Sequence, residues 1–87
     1  MKLYHGTKGM SSVEIMTTYR GMVSRKTRSG CIVKLVLGNG DFAFSYIYAN
    51  FSVGDQLNVY IEKVFDKEDK YPRGVCESVI QYAQDVA

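Results

Sequence analysis

The chain has few cysteines and no long apolar segment, and each shortage excludes a class of protein. Its 87 residues include two cysteines, Cys31 and Cys76, which are too few for a disulfide framework. We therefore expect two reduced, buried thiols. No apolar run approaches the roughly 20 residues that span a bilayer. The opening stretch MKLYHGTKGM contains nothing typical of a signal peptide, so we expect a cytoplasmic protein.

Residues that carry metal or acid–base chemistry are also scarce. The sequence has one histidine, its two cysteines are distant from each other, and its carboxylates form no recognisable motif. No nucleophile is paired with a base, and no side chains have the spacing of metal ligands. We expect neither enzymatic activity nor a cofactor or metal.

Acidic residues are missing from one long window, although the net charge is only +2. No aspartate or glutamate lies between Glu14 and Asp41. Basic residues recur in that window: Arg20, Arg25, Lys26, Arg28 and Lys34. A nearly neutral average therefore hides a basic first part of the chain, which suits a nucleic-acid partner.

Apolar residues alternate with polar ones in several segments, which is typical of strands. We predict strands over residues 13–24 (bent at Gly21), 31–37, 42–49, 56–66 and 75–83. The Asn-Gly pair of GNGD, residues 38–41, predicts a hairpin turn. Five strands at this spacing indicate a small all-β barrel or sandwich. We assign residues 13–87 to a single domain and residues 1–12 to a flexible N-terminal arm.

The third predicted strand raises a question about its two faces, because successive side chains of a strand point in opposite directions. One face is aromatic: Phe42, Phe44, Tyr46 and Tyr48. The other face is mostly small: Ala43, Ser45, Ile47 and Ala49. The aromatic face either fills the core or points outward. We favour the outward arrangement, because the other strands already supply apolar faces and two buried tyrosine hydroxyls would need hydrogen-bond partners.

Several short motifs follow one another in an order that is characteristic of a known domain. Gly21-Met22-Val23 lies in the first strand, and Gly30 opens the second. Val53-Gly54-Asp55 opens the fourth strand, and Asp66 ends it. Over about residues 19–78 the chain resembles the RNA-binding OB-fold domain repeated in the largest protein of the small ribosomal subunit, the S-one domain. It is similar to bacterial initiation factor one almost as closely.

The resemblance implies a five-stranded OB-fold barrel that binds single-stranded RNA or DNA. In such barrels the loops after the first and fourth strands border the ligand face. One departure is Ile32, which stands where the family usually has an aromatic residue.

Two functions follow from these features. In the first, bases stack on the aromatic face and basic side chains neutralise phosphates. The stacking residues are then Phe42, Phe44, Tyr46 and Tyr48, and the phosphate-binding residues are Arg20, Arg25, Lys26, Arg28, Lys34 and Arg73. In the alternative, a small accessory protein docks the same face on a component of the translation, transcription or replication machinery. Basic residues on the aromatic face favour the first.

Overall fold

Five strands form a closed barrel in the computed structural model, which describes residues 13–38, 40–65 and 70–80. The strands are β1 (Thr18–Lys26), β2 (Cys31–Val36), β3 (Phe42–Ile47), β4 (Gln56–Lys63) and β5 (Arg73–Val79). They close in the order β1-β2-β3-β5-β4. Only the β3–β5 pairing is parallel. The predicted all-β, OB-fold-like barrel is confirmed, whereas the predicted arm lies outside the described residues.

The first strand starts later than predicted, at Thr18 rather than at residue 13. Met16 has a φ of 61°, a left-handed conformation that interrupts an extended chain. Hydrogen bonds hold this turn against β4, because the Met16 N–H donates to the Ile61 carbonyl (2.7 Å) and the Ile61 N–H donates to the Thr17 carbonyl (3.0 Å). The strand pattern in residues 13–17 therefore belongs to a turn, although Val13 is fully buried in the core.

The ends of β4 and β5 also differ from the prediction. β4 ends at Lys63, before residue 66, and β5 begins at Arg73, two residues earlier than expected. The predicted end of the fifth strand, at residue 83, lies outside the described residues.

The core is built from the inward faces that alternation predicted. Its fully buried members include Val33, Leu35, Leu57, Val59 and Ile61. Because these positions alternate with exposed or half-buried ones along β2 and β4, each strand presents one face to the interior. Ile32 is an exception, since it is buried although it neighbours two inward residues of β2.

Two glycines of the motifs described above occupy positions where the backbone requires glycine. A Cβ atom on Gly30 would lie 2.0 Å from the backbone oxygen of Ile47, so β2 and the end of β3 can meet only at a glycine. Gly54 has a φ of 98°, a conformation that favours glycine. The Gly54 N–H donates to the Val23 carbonyl, and the Val23 N–H donates to the Asp55 carbonyl, both at 2.9 Å. The Val-Gly-Asp turn thus extends the pairing of β1 with β4.

Candidate nucleic-acid interface

The aromatic face of β3 points outward, as predicted. The intervening side chains, Ala43, Ser45 and Ile47, are buried in the barrel. Of the aromatic residues, Phe42 is 40% exposed and Tyr48 63% exposed. Phe44 and Tyr46 are half-buried. The rings therefore lie on the barrel surface and leave the small face to the interior.

The end of the β4–β5 connection is fixed against β3, and this adds a ring to the aromatic face. The Ser45 hydroxyl and the Tyr46 N–H both donate to the Pro72 carbonyl, at 3.1 and 2.9 Å. Tyr71 consequently lies beside Phe44, with ring centroids 5.9 Å apart, and Phe42 lies 5.7 Å from Phe44 on the same face.

Tyr46 connects the aromatic face with the loop between β1 and β2. Its hydroxyl forms hydrogen bonds with the hydroxyls of Thr27 (3.0 Å) and Ser29. Its ring packs edge-on against Tyr48, with centroids 4.6 Å apart and an interplanar angle of 81°. Tyr46 is therefore an anchor for the loop as well as a surface ring.

A bulge in β1 brings Arg25 to the outer face. Val23 pairs with Val33 and Arg25 pairs with Ile32, so Ser24 is an extra residue in β1. Strict alternation from the buried Val23 would have directed Arg25 toward the interior. Bulges re-aim side chains in this way.

A second bulge, in β4, brings Lys63 to the same face. Ile61 pairs with Gly74 and Lys63 pairs with Arg73, which leaves Glu62 as the extra residue. Because directly paired residues share a face of the sheet, one row crosses four strand boundaries outside the barrel: Arg25, Ile32, Tyr46, Arg73 and Lys63. Lys63 was not among the predicted site residues, since alternation alone places it with the core.

Lys34 and Arg20 also join the aromatic face. Lys34 pairs with Phe44, and its ammonium lies 4.5 Å from the centroid of the Phe42 ring. Arg20 is exposed and pairs with Val36, which in turn pairs with Phe42.

The other two predicted basic residues lie elsewhere. Arg28 is exposed in the loop between β1 and β2, next to the residues that bind the Tyr46 hydroxyl. Lys26 pairs with the buried Cys31, so it belongs to the opposite face of β1 from Arg25. The structure does not bring Lys26 together with the aromatic residues.

A pocket of about 440 Å³ opens beside the end of the aromatic row. Tyr46 and Tyr48 form one part of its wall. The remaining lining comes from the last residue of β4, the β4–β5 connection and the first residue of β5: Lys63, Phe65, Lys70, Tyr71 and Arg73. Among these, Lys63 and Phe65 were missed by the sequence analysis. The sequence does contain a signal for these two residues, because basic and aromatic residues continue to alternate after Ile61. The bulge at Glu62 obscured this signal.

Aromatic rings and a carboxylate contact the cations of this pocket. The ammonium groups of Lys63 and Lys70 lie 5.3 and 4.7 Å from the centroid of the Phe65 ring, within the range of cation–π attraction. Arg73 Nε lies 2.9 Å from Glu62 Oε2, and its guanidinium lies 6.0 Å from the Tyr48 ring centroid. Glu62 thus neutralises part of the positive charge that Arg73 contributes.

The two cysteines are free thiols. Cys31 is buried as predicted, but Cys76 is only half-buried. Burial raises the pKa of the Cys76 thiol, with a smaller contribution from Cys31, while a backbone hydrogen bond at Ser78 opposes the shift. A raised pKa leaves less of the reactive thiolate on Cys76 at neutral pH than on an ordinary thiol.

The described part of the chain contains no group of three or more His, Cys, Asp or Glu residues that could hold a metal ion. Within the same residues, no helix is long and apolar enough to cross a membrane. The described residues of the site offer flat apolar surfaces for stacking, with cations beside them for anionic groups.

The comparisons with known proteins add no relative. Family models, curated proteins and solved structures all give no match to this chain.

Proposed function

We propose that this protein binds single-stranded RNA or DNA on the outer face of β2 and β3, as a member of the S-one-like group of OB-fold domains. The observation that carries the proposal is the outward aromatic row of β3 with cations beside it. Each base stacked on an aromatic ring contributes roughly 1–3 kcal/mol. A row of rings along one strand suits a ligand in which flat groups follow one another.

Charge supports nucleic acid over the alternative of a protein that docks on this face. Lys34 lies directly over Phe42, and the pocket at the other end of the row is lined by Lys63, Lys70 and Arg73. Phosphates between stacked bases require cations on the same face as the rings. A protein partner would not require them.

The OB-fold-like topology supports the assignment to the S-one-like group, as do the roles of Gly30 and of the Val53-Gly54-Asp55 turn. In OB-folds the outer face of the second and third strands, with the loops after the first and fourth strands, is the usual ligand surface. On those elements this chain carries the aromatic row of β3, Lys34 in β2, Arg28 in the loop after β1 and Lys70 in the connection after β4.

The proposal is tested by titrating the protein with fluorescent single-stranded RNA and DNA of several unrelated sequences at two salt concentrations. We expect binding that weakens as salt rises, because phosphate contacts release counterions. The double variant Arg25→Ala with Arg28→Ala should lower the log–log salt slope by roughly 0.7 for each phosphate that these side chains neutralise.

The same titration distinguishes the two functions. A parent protein that binds no oligonucleotide of either sugar at low salt would refute the proposal and leave protein docking as the use of the aromatic face. An unchanged salt slope in the folded double variant would remove the β1–β2 loop from the interface.

A further inference from the structure

The pocket beside Tyr48 differs from the rest of the aromatic face because it is concave and because several cationic side chains line it. Its volume of about 440 Å³ lies in the lower part of the range, about 300–1,000 Å³, of pockets that take small ligands. A space of this size suits one nucleotide rather than several. The aromatic row leads into it, because Tyr46 and Tyr48 belong to both.

Three cationic side chains are among the described residues that line the pocket. Its described lining residues include Lys63, Lys70 and Arg73 and no carboxylate. Glu62 offsets the charge of Arg73, which makes Lys63 and Lys70 the main cations among the described lining residues. The ammonium groups of Lys63 and Lys70 both lie within cation–π range of the Phe65 ring, so both cations belong to the same part of the pocket wall and each attracts an anion there.

A phosphodiester within a strand carries a single negative charge, whereas a phosphomonoester carries about −1.5 to −2 at pH 7. A nucleotide with a phosphomonoester occurs at the end of a strand. Such a nucleotide combines a ring that can stack with a group that matches two cations.

We infer that this pocket binds the terminal nucleotide of a single strand, with its base against the aromatic wall and its phosphomonoester at Lys63 and Lys70. The inference rests on the proposed function, since it assumes that the rest of the strand lies along β3. It makes the protein a reader of phosphorylated strand ends.

The test compares one short oligonucleotide in three forms: with a 5′-phosphate, with a 3′-phosphate, and with hydroxyls at both ends. We expect one phosphorylated form to bind about five- to thirty-fold more tightly than the hydroxyl form, the effect of one or two partly exposed charge pairs. The phosphorylated form that binds more tightly identifies which end of the strand, 5′ or 3′, the pocket binds. A nucleoside monophosphate and its parent nucleoside, each titrated alone, probe the pocket without the strand.

Two variants assign the effect to the pocket. Lys63→Gln with Lys70→Gln should abolish the preference for the phosphorylated end. The matched control is Lys34→Gln, at the other end of the aromatic face, which should weaken all three oligonucleotides by the same factor and keep the preference. A preference that survives the double substitution would overturn the assignment of the phosphate to these lysines.

The remaining outcomes separate the two proposals. Equal affinity for all three oligonucleotides would overturn the inference and leave the proposed function standing. Binding of the nucleoside monophosphate without binding of any oligonucleotide would refute the proposed function and keep the pocket as a mononucleotide site. No binding of either kind would refute both.

Discussion

Replacing Phe44 by alanine tests whether the aromatic face is a surface or part of the core. Phe44 is half-buried and lies between two rings, those of Phe42 and Tyr71. Each aromatic pair contributes about 0.5–1.5 kcal/mol beyond buried area, so the loss of both pairs in Phe44→Ala should lower the free energy of unfolding by about 1–3 kcal/mol. Truncating a fully buried phenylalanine costs about 3–5 kcal/mol.

The same substitution should also weaken oligonucleotide binding by the folded protein. Loss of one stacked base costs roughly 1–3 kcal/mol of affinity, which corresponds to a weakening by a factor of about 5 to 150. Urea unfolding and fluorescence titration with an oligonucleotide, made on the same preparations, measure both quantities.

Val33→Ala is the matched control, because Val33 is fully buried on the inner face of β2. Removing most of that side chain should cost about 1.5–3 kcal/mol of stability and leave the affinity of the folded protein unchanged. A Phe44→Ala protein that unfolds as easily as a core truncation and binds normally would refute the separation of an outer binding face from an inner core.

Four further substitutions test other parts of the structure. Gly30→Ala should destabilise the fold by at least about 1–3 kcal/mol in urea unfolding, the cost of overpacking; an unchanged midpoint would contradict the close approach of the backbones there. Glu62→Gln should change stability by less than about 1 kcal/mol and tighten oligonucleotide binding measurably, because it removes the carboxylate bound to Arg73; weaker binding would count against a phosphate at that position. Arg25→Gln should lower the log–log salt slope by roughly 0.7, whereas Lys26→Gln should lower it less, and equal effects would contradict the separation of the two side chains by the β1 bulge.

Alternation predicted an all-β barrel or sandwich and divided the third strand into an aromatic and a small face, whereas the closed barrel was implied by the resemblance to the S-one domain. The inward residues of β2 and β4 repeat at every second position, and the small residues of β3 fit an interior that a row of rings would overfill. Gly30 and the Val53-Gly54-Asp55 turn could be placed because their conformations and close approaches admit few other residues.

The basic half of the site could be predicted only in part, because bulges change the face on which a side chain lies. Alternation counted from Val23 and from Ile61 directs Arg25 and Lys63 inward, and a single extra residue in each strand reverses both. The predicted start of β1 was wrong because the pattern before Thr18 is typical of a strand, whereas Met16 adopts a left-handed turn. Residue type alone does not reveal that turn. The pocket depends on how the β4–β5 connection packs against β3, which no local pattern encodes.

The proposed function depends above all on where the ligand lies, and amide chemical shifts measured during an oligonucleotide titration locate it residue by residue. We expect the largest changes along Phe42–Ile47, in the loop around Arg28, and between Lys70 and Arg73, with little change at Val59 and Ile61 inside the barrel. Changes confined to the β1–β4 side of the barrel would contradict binding on the aromatic face. So would the absence of changes at oligonucleotide concentrations that saturate binding in the fluorescence titration.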